Sequence, residues 1–457
     1  MTSSTASHSA AHDAGHDGAT DAPKPGPRDP HLDFARRKDR IDGLAHYRGT
    51  FVGIENDGTD PDTAPPPIVY FDGNSLGRPT RASVDRITDF LSNAWGSRLI
   101  RGWDEEWMEL PLKIGDALGH AALGAAAGQV FIGDSTTVTL YKLARAAVDA
   151  RSGPAHPGRT EIVVDTDNFP TDRYLLEGIA AERGLTLRWI EPDPFGGVTA
   201  EQVRAVVGPQ TALVLLSHVA YRSGFLADMP AISAIVHDAG ALVLWDLCHS
   251  VGSVPVDLDA SGADIAVGCT YKYLNGGPGS PAFGYVRADL QGELAQPIQG
   301  WMGTQAIFEM GPSYVPATGI RRFMSGTPAI VGMLAMQDTI AMIETAGIGA
   351  VRTKSVGLTE FAMSLVDDWL VPLGVIVASP RDPARRGGHV TIQHPAMKEV
   401  TRVLWEQDVI PDFRGPEALR IGLSPLSTSY VETYAGVAAI RDALLAILAA
   451  DAQHGAR

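Results

Sequence analysis

Leu242-Val243-Leu244-Trp245-Asp246-Leu247-Cys248-His249 is the stretch from which the fold is read. Four consecutive apolar residues end in a carboxylate, the pattern of a strand buried on both faces with a charge at its end. Working outward, similar short runs occur at Gln129–Ile132, Glu161–Asp165, Thr186–Trp189, Leu213–His218, Ile265–Thr270 and Ala282–Val286. Amphipathic stretches separate several of them, at Val138–Ala150, Arg173–Arg183 and Pro230–Ala239. Apolar strands alternating with helices predict an α/β fold, with a mainly parallel, seven-stranded-type sheet covered on both faces. Ligands of such a sheet are expected at the carboxyl ends of its strands, which is where Asp246 stands.

Beyond Pro328 the rhythm changes. A long helical stretch from Ala329–Ala346 is followed by strands at Val375–Ala378, Gly388–Ile392 and Leu419–Gly422 and a helix at Met397–Gln407. This predicts a smaller α+β domain. The expected division is a disordered tail over residues 1–30, a segment 31–80 that joins the small domain, a large cofactor-binding domain 81–328 and the small domain 329–457. The tail is Ala, Ser, Gly, His, Asp and Pro, with too little to bury to offset the entropy of ordering. Its His8, His12 and His16 fall four apart, but Gly15 and Gly18 oppose the helix that would align them, so the tail reads as solvated and not as a metal site.

The 457 residues carry 37 Lys plus Arg against 53 Asp plus Glu, a formal charge of −16. With no basic excess to neutralise phosphates, nucleic acid and anionic membrane are poor partners. Cys248 and Cys269 are the only cysteines, which excludes a disulfide framework and a thiolate zinc site and fits a reducing cytosol. No apolar run reaches the ~20 residues of a membrane span, and Val437–Ala450 is interrupted by Arg441 and Asp442. The polar N-terminus lacks an apolar signal segment. The expectation is a soluble cytoplasmic enzyme acting on a small molecule, with no metal.

Three constellations carry chemistry. Gly133-Asp134-Ser135-Thr136-Thr137-Val138 follows a strand and opens a helix, so its hydroxyls and free N–H groups suit a phosphate or serve as a plain helix cap. Neither the Walker A pattern nor GxGxxG is present. Asp246 at the crest of the sheet can hold a protonated ring nitrogen, as pyridoxal phosphate (PLP) requires, or cap the next segment, or bind a metal with His249. Third, Cys269-Thr270-Tyr271-Lys272-Tyr273-Leu274-Asn275-Gly276-Gly277-Pro278-Gly279 places a lysine between a buried strand and a glycine-rich turn. Desolvation there favours the neutral amine that Schiff-base chemistry needs, whereas a solvated surface lysine is the commoner fate of the residue type. Tyr271 and Lys272 would face opposite sides of a regular strand, so the chain must leave the strand if both serve one site. The order, phosphate-type helix start, then Asp, then Lys 26 residues later, is that of aspartate-aminotransferase-like PLP enzymes of fold type I.

The chain also resembles the kynureninase family, in Phe71–Gly77 (FDGNSLG), Asp134–Leu140 (DSTTVTL), Asn168–Asp172 (NFPTD) and Leu216–Gly224 (LSHVAYRSG). The likeness continues through Trp245–Ser250 (WDLCHS), Tyr271–Gly279 (YKYLNGGPG), Gly300–Gly303 (GWMG) and Ser325–Pro328 (SGTP), covering about residues 45 to 430 in the family's order. It implies PLP bound as a Schiff base on Lys272, with Asp246 on the pyridinium nitrogen, and Thr136 and Thr137 on the phosphate side. Phe169, Pro170, Thr171 and Asp172 would pack on and hydrogen-bond the cofactor ring. Ser217, His249 and Tyr271 match further cofactor contacts, Tyr271 also as proton donor. Trp301 and Thr327 match positions that reach the cofactor phosphate of the neighbouring subunit, implying a homodimer with shared sites. Arg420 matches the arginine that forks onto the substrate α-carboxylate, with Asn74 and Ser75 nearby.

Isolated residues have plainer readings: Phe169 as core, Trp301 as a packing aromatic, His249 as a satisfied buried histidine. Arg420 inside an apolar strand is harder to read so, because a buried guanidinium needs an anion. Cys248 departs from the family's small Ala, and Gly326-Thr327 resembles bacterial members that favour kynurenine over its 3-hydroxy derivative. The implied activity is hydrolysis of L-kynurenine to anthranilate and L-alanine, in the kynurenine pathway of tryptophan catabolism and NAD biosynthesis. The competing readings are a class-V-type aminotransferase, a cysteine desulfurase, and a silent PLP-fold binding protein. The last has no chemical need for Lys272, Asp246 and Arg420 together.

Overall fold

The computed structural model describes residues 29–54 and 68–455. Apart from Asp29 and Pro30, the predicted N-terminal tail with its three histidines lies outside the described residues. Asp29 caps the first helix, Pro30–Arg40, its Oδ1 accepting from His31 N at 2.9 Å. The strands are β1 (Val69–Phe71), β2 (Val130–Ile132), β3 (Glu161–Asp165), β4 (Thr186–Ile190), β5 (Thr211–Ser217), β6 (Leu242–Asp246), β7 (Ile265–Gly268), β8 (Phe283–Val286), β9 (Ile376–Val377), β10 (His389–Gln393), β11 (Val409–Arg414) and β12 (Ala418–Gly422). Seven form one sheet in the order β2-β8-β7-β6-β5-β3-β4, parallel except for β8. The apolar runs predicted this sheet because its central strands are buried along their whole length, save Ser217 at the end of β5. Helices Thr136–Arg151, Pro170–Arg183 and Met229–Asp238 cover it, each within about two residues of its predicted start except Pro170–Arg183, which begins three earlier.

Two predicted elements differ. The strand expected over Ile265–Thr270 ends at Gly268. Thr270 Oγ1 lies 2.6 Å from both Ser280 Oγ and Pro281 O, turning the chain out of the sheet. The helix expected over Ala329–Ala346 is divided into Ile330–Met333 and Met336–Ala346. Between them Leu334 N bonds Val331 O and Gln337 N bonds Leu334 O, three-residue turns that break the regular ladder.

The second sheet has five strands in the order β1-β11-β12-β10-β9, with β1 parallel to β11 and the remaining pairs antiparallel. Helices Ile348–Trp369, Met397–Trp405 and Tyr430–Gly455 enclose its core around Phe71, Leu419, Ile421 and Val437. β1 and β11 were not predicted: three residues carry no period, and Pro411 interrupts the other run. Their pairing brings the segment after Phe71 against β12, where Asp72 bridges Gly422. Among the described residues, no helix is long and apolar enough to cross a membrane.

Candidate active site

The carboxyl ends of β3, β5, β6 and β7 share one crest, and the chain reaches Lys272 four residues after β7. Because the strand has already ended, Tyr271 and Lys272 are not bound to opposite faces. Gly276 N donates to Thr270 O at 2.9 Å and Asn275 N to Lys272 O at 3.0 Å, closing the turn. Asn275 itself takes the left-handed conformation, φ 53°. The N-terminal segment clamps this turn: Gly77 N donates to Tyr271 O at 2.8 Å, and Asn275 Nδ2 to Arg78 O at 2.8 Å. A Cβ on Gly77 would stand 2.3 Å from Lys272 O, so only glycine allows the approach.

Lys272 is buried, its Nζ 3.2 Å from His249 Nε2. Burial, and then the positive charges of Lys272 and Arg420, hold His249 well below the usual imidazole range, so it is neutral and accepts. Asp246 Oδ1 accepts from Cys248 N at 2.8 Å, which fixes the carboxylate at the end of β6. Asp172, in the first turn of the Pro170–Arg183 helix, is buried, and its Oδ2 has no partner. Burial and the charges of Asp246 and Asp165 push its carboxyl well up, opposed by Lys272. Ser217 Oγ donates to Asn168 Oδ1 at 2.7 Å, and Phe169 N donates to the same oxygen at 2.8 Å. Asn168 Nδ2 is left without a partner. Phe169 is 37% exposed, so it is not core; its ring meets Tyr221 edge-on at 5.4 Å. Pro170 and Thr171, beside it, begin the helix and are half-buried.

At the other end of the crest, Ser135 is the helix cap, its hydroxyl accepting from Val138 N at 3.4 Å. Capping therefore does not use Thr136 or Thr137, which follow at the first two helical positions. The preceding loop is bent by Asp134, φ 56°, whose carboxylate meets buried Lys142 Nζ at 2.6 Å and Ser325 Oγ at 3.1 Å. Ser325 O in turn accepts from Met302 N at 3.2 Å, so the Trp301 and Thr327 segments are tied together behind this loop. Trp301, 40% exposed, and Thr327, also exposed, lie on the surface of the chain.

Arg420 is completely buried in β12, and the anion it needs is within the chain. Its Nε donates to Asp412 Oδ2 at 2.6 Å, and Nη2 closes on the same oxygen. Nη1 donates to Tyr221 O at 2.6 Å and Nη2 to Ser75 Oγ at 2.9 Å. Asn74, fully buried with neither amide atom partnered, lies against Gly422, where a Cβ would fall 1.8 Å from its Oδ1. The fold thus brings Asn74, Ser75 and Arg420 together, Ser75 reaching Arg420 across 345 residues.

Sequence reasoning missed several neighbours. His389 is buried with neither nitrogen partnered, its ring 5.9 Å from that of His249, and burial lowers its pKa to about 3. Asp412, Lys142 and Asn168 also escaped, although Asn168 opens a motif that was singled out. Cys248 and Cys269 are both free and buried, with Cys269 N donating to Cys248 Sγ at 3.3 Å. Among the described residues no group of three or more His, Cys, Asp or Glu is placed to hold a metal.

Comparison with known proteins agrees with this geometry. Residues 130–410 match the family Aminotransferase class-V. A kynureninase of Pseudomonas fluorescens is 37% identical over 402 residues, 87% of this chain and 92% of the relative. One of Burkholderia pseudomallei (strain 1106a) is 39% identical over 409 residues, 89% of this chain and 94% of the relative. Among solved structures, the apo cysteine desulfurase of Thermococcus onnurineus NA1 aligns with a TM-score of 0.70 at 20% identity, covering 81% of this chain and 94% of that one. The cystine C–S lyase C-DES, in complex with its product cysteine persulfide, aligns with a TM-score of 0.72 at 19% identity, covering 82% and 97%. At that identity the structural likeness speaks for the fold alone.

Proposed function

The chain belongs to the kynureninase family, hydrolases acting on carbon–carbon bonds in ketonic substances, and we propose that it cleaves L-kynurenine to anthranilate and L-alanine, with 3-hydroxy-L-kynurenine as a second substrate. What supports this reading is that His249 lies in the fields of both Lys272 and Arg420 and Asp172 in those of Asp246 and Lys272, in a chain 39% identical to a kynureninase over nine-tenths of its length.

Its cofactor is PLP, and the residues present fit it. Asp172 Oδ2 and Asn168 Nδ2 are buried without partners near a crest that also holds a buried lysine. Thr136 and Thr137, at a helix start, suit a phosphate. Lys272 would hold PLP through its aldehyde, and once joined to the substrate the cofactor would supply an electron sink that acidifies the substrate's Cα–H and then weakens its Cβ–Cγ bond.

The remaining work falls to the chain. Lys272 Nζ would take the substrate's α-proton, and neutral His249 would accept a hydrogen bond from that nitrogen. Asp246 keeps a proton on the cofactor's ring nitrogen. Ser217, Phe169, Pro170, Thr171 and Asp172 would shape the ring's seat, with burial and the charge of Asp246 pushing the Asp172 carboxyl up. Burial, and the two cysteine sulfurs beside it, push the Tyr271 phenol up, so it carries its proton at neutral pH and can deliver it to the product carbon. Arg420 pairs with the substrate α-carboxylate, with Asn74 and Ser75 alongside.

The exposure of Trp301 and Thr327 supports a homodimer in which each chain completes its neighbour's phosphate site. Residues 31–80 and 329–457 are assigned to the small domain and 81–328 to the cofactor-binding domain. The two free cysteines support a cytoplasmic location. They disfavour the desulfurase reading, because neither buried sulfur is on a mobile exposed segment. Anthranilate fluorescence with kynurenine and 3-hydroxykynurenine, for the wild type and Lys272→Ala, tests the proposal. PLP-saturated wild type that turns over neither substrate overturns it, and conversion of the cofactor to its amine form by a keto-acid couple would favour an aminotransferase.

A further inference from the structure

We infer that Asp412 is a positioning residue for substrate recognition, turning Arg420 so that the guanidinium edge now capped by the Ser75 hydroxyl receives the substrate's α-carboxylate. The inference rests on the function proposed above and adds a residue and an order of events to it.

The argument is an account of donors. A guanidinium has five N–H groups in a fixed plane. The Nε–H goes to Asp412 Oδ2, with which Nη2 also makes an ion-pair contact, one Nη2–H goes to Ser75 Oγ, and one Nη1–H goes to Tyr221 O. One Nη1–H remains. A carboxylate needs two parallel donors, so the edge open to a ligand is the one formed by Nη1 and Nη2, away from Asp412. Apart from Asp412, the acceptors on those two nitrogens are neutral, the Ser75 hydroxyl and the Tyr221 carbonyl.

Asp412 is poorly suited to be the group that leaves. It is the direct cross-strand partner of Arg420 in the β11–β12 ladder, so its backbone position is set by the sheet. The same Oδ2 also accepts from Arg414 Nε at 2.8 Å, and the side chain is only 14% exposed. Ser75, in contrast, lies on the loop after β1, outside either sheet. Its hydroxyl gives a lone pair to Arg420 in the place that an incoming anion would take. Exchange for a carboxylate replaces a neutral acceptor with a charged one, roughly twice as strong.

Steady-state kinetics of the PLP-saturated enzyme tests this. Asp412→Ala is expected to raise KM for kynurenine about 10–100-fold with kcat changed less than about three-fold, because ground-state binding and not chemistry is lost. Asp412→Asn, which keeps the shape and a single acceptor, is expected to recover most of the loss. A kynurenine analogue with its carboxylate as a neutral amide should not discriminate between wild type and Asp412→Ala. Unchanged melting temperature and cofactor absorbance separate positioning from general damage. A KM that falls in Asp412→Ala would show Asp412 to be a resident competitor, and an unchanged KM would show it to be a bystander; either overturns the inference while leaving the function intact. Absence of turnover in the wild type would instead strike the function.

Discussion

Lys272 Nζ and His249 Nε2 stand 3.2 Å apart, both side chains buried at the carboxyl end of the parallel sheet. Two cations at that distance in a dry site would repel, and the histidine yields: burial and the lysine's charge keep it neutral. The lysine therefore has a partner that accepts from it, within reach of the carboxylates of the crest.

Reduction of the holoenzyme with borohydride and peptide mass mapping should place the cofactor tag on Lys272. Lys272→Ala should lose at least about 10²–10⁴-fold in turnover, the scale of a positioned proton transfer. A tag on another lysine would remove the basis of the proposed function.

Asp246→Asn keeps the shape of the crest and its hydrogen bond from Cys248 N but removes the charge that holds the ring proton. A loss of about 10²–10³-fold in kcat is expected, the range for removing one electrostatic contact to developing charge. Near-normal kcat with a normal cofactor spectrum would contradict the role given to Asp246.

Asp72 offers a pH test. Burial raises its pKa from 3.8 to about 6; Asp412 adds to the rise, and the Ser75 hydrogen bond, Arg420 and Arg414 only partly offset it. The folded state thus holds the proton more tightly than the unfolded one. The protonated group costs nothing below the unfolded value, and stability is lost as pH rises through the folded value. Asp72→Asn should match the wild type in urea unfolding near pH 4 and exceed it by about 1–3 kcal/mol above pH 6. An advantage confined to acid pH would reverse the sign and refute the account.

Gly422→Ala sets a Cβ 1.8 Å from Asn74 Oδ1, and Asn74 is fully enclosed. A loss of about 1–3 kcal/mol, the usual result of overpacking, is expected in denaturant unfolding, with a raised KM. A neutral result would mean that the loop after β1 is free to move.

Cys248→Ala should keep kynurenine hydrolysis within about three-fold, because the sulfur only accepts from Cys269 N. Abolished turnover would give the thiol a chemical role and revive the desulfurase reading.

The sequence alone determined the alternation of strand and helix, the position of Asp246 at the end of β6 and the passage of the chain into the turn that carries Lys272. These are local properties: burial on both faces writes an uninterrupted apolar run, and a glycine-rich turn writes its own composition. Asp412 became visible only in the tertiary structure, since nothing in Val409–Arg414 announces a partner for Arg420 until the two strands are in register. The same holds for Ser75, which reaches Arg420 across 345 residues, and for His389, whose neighbours arrive from other elements. Local periodicity records which face of an element is buried but not which distant element covers it; the charge balance around Arg420 is therefore decided by packing.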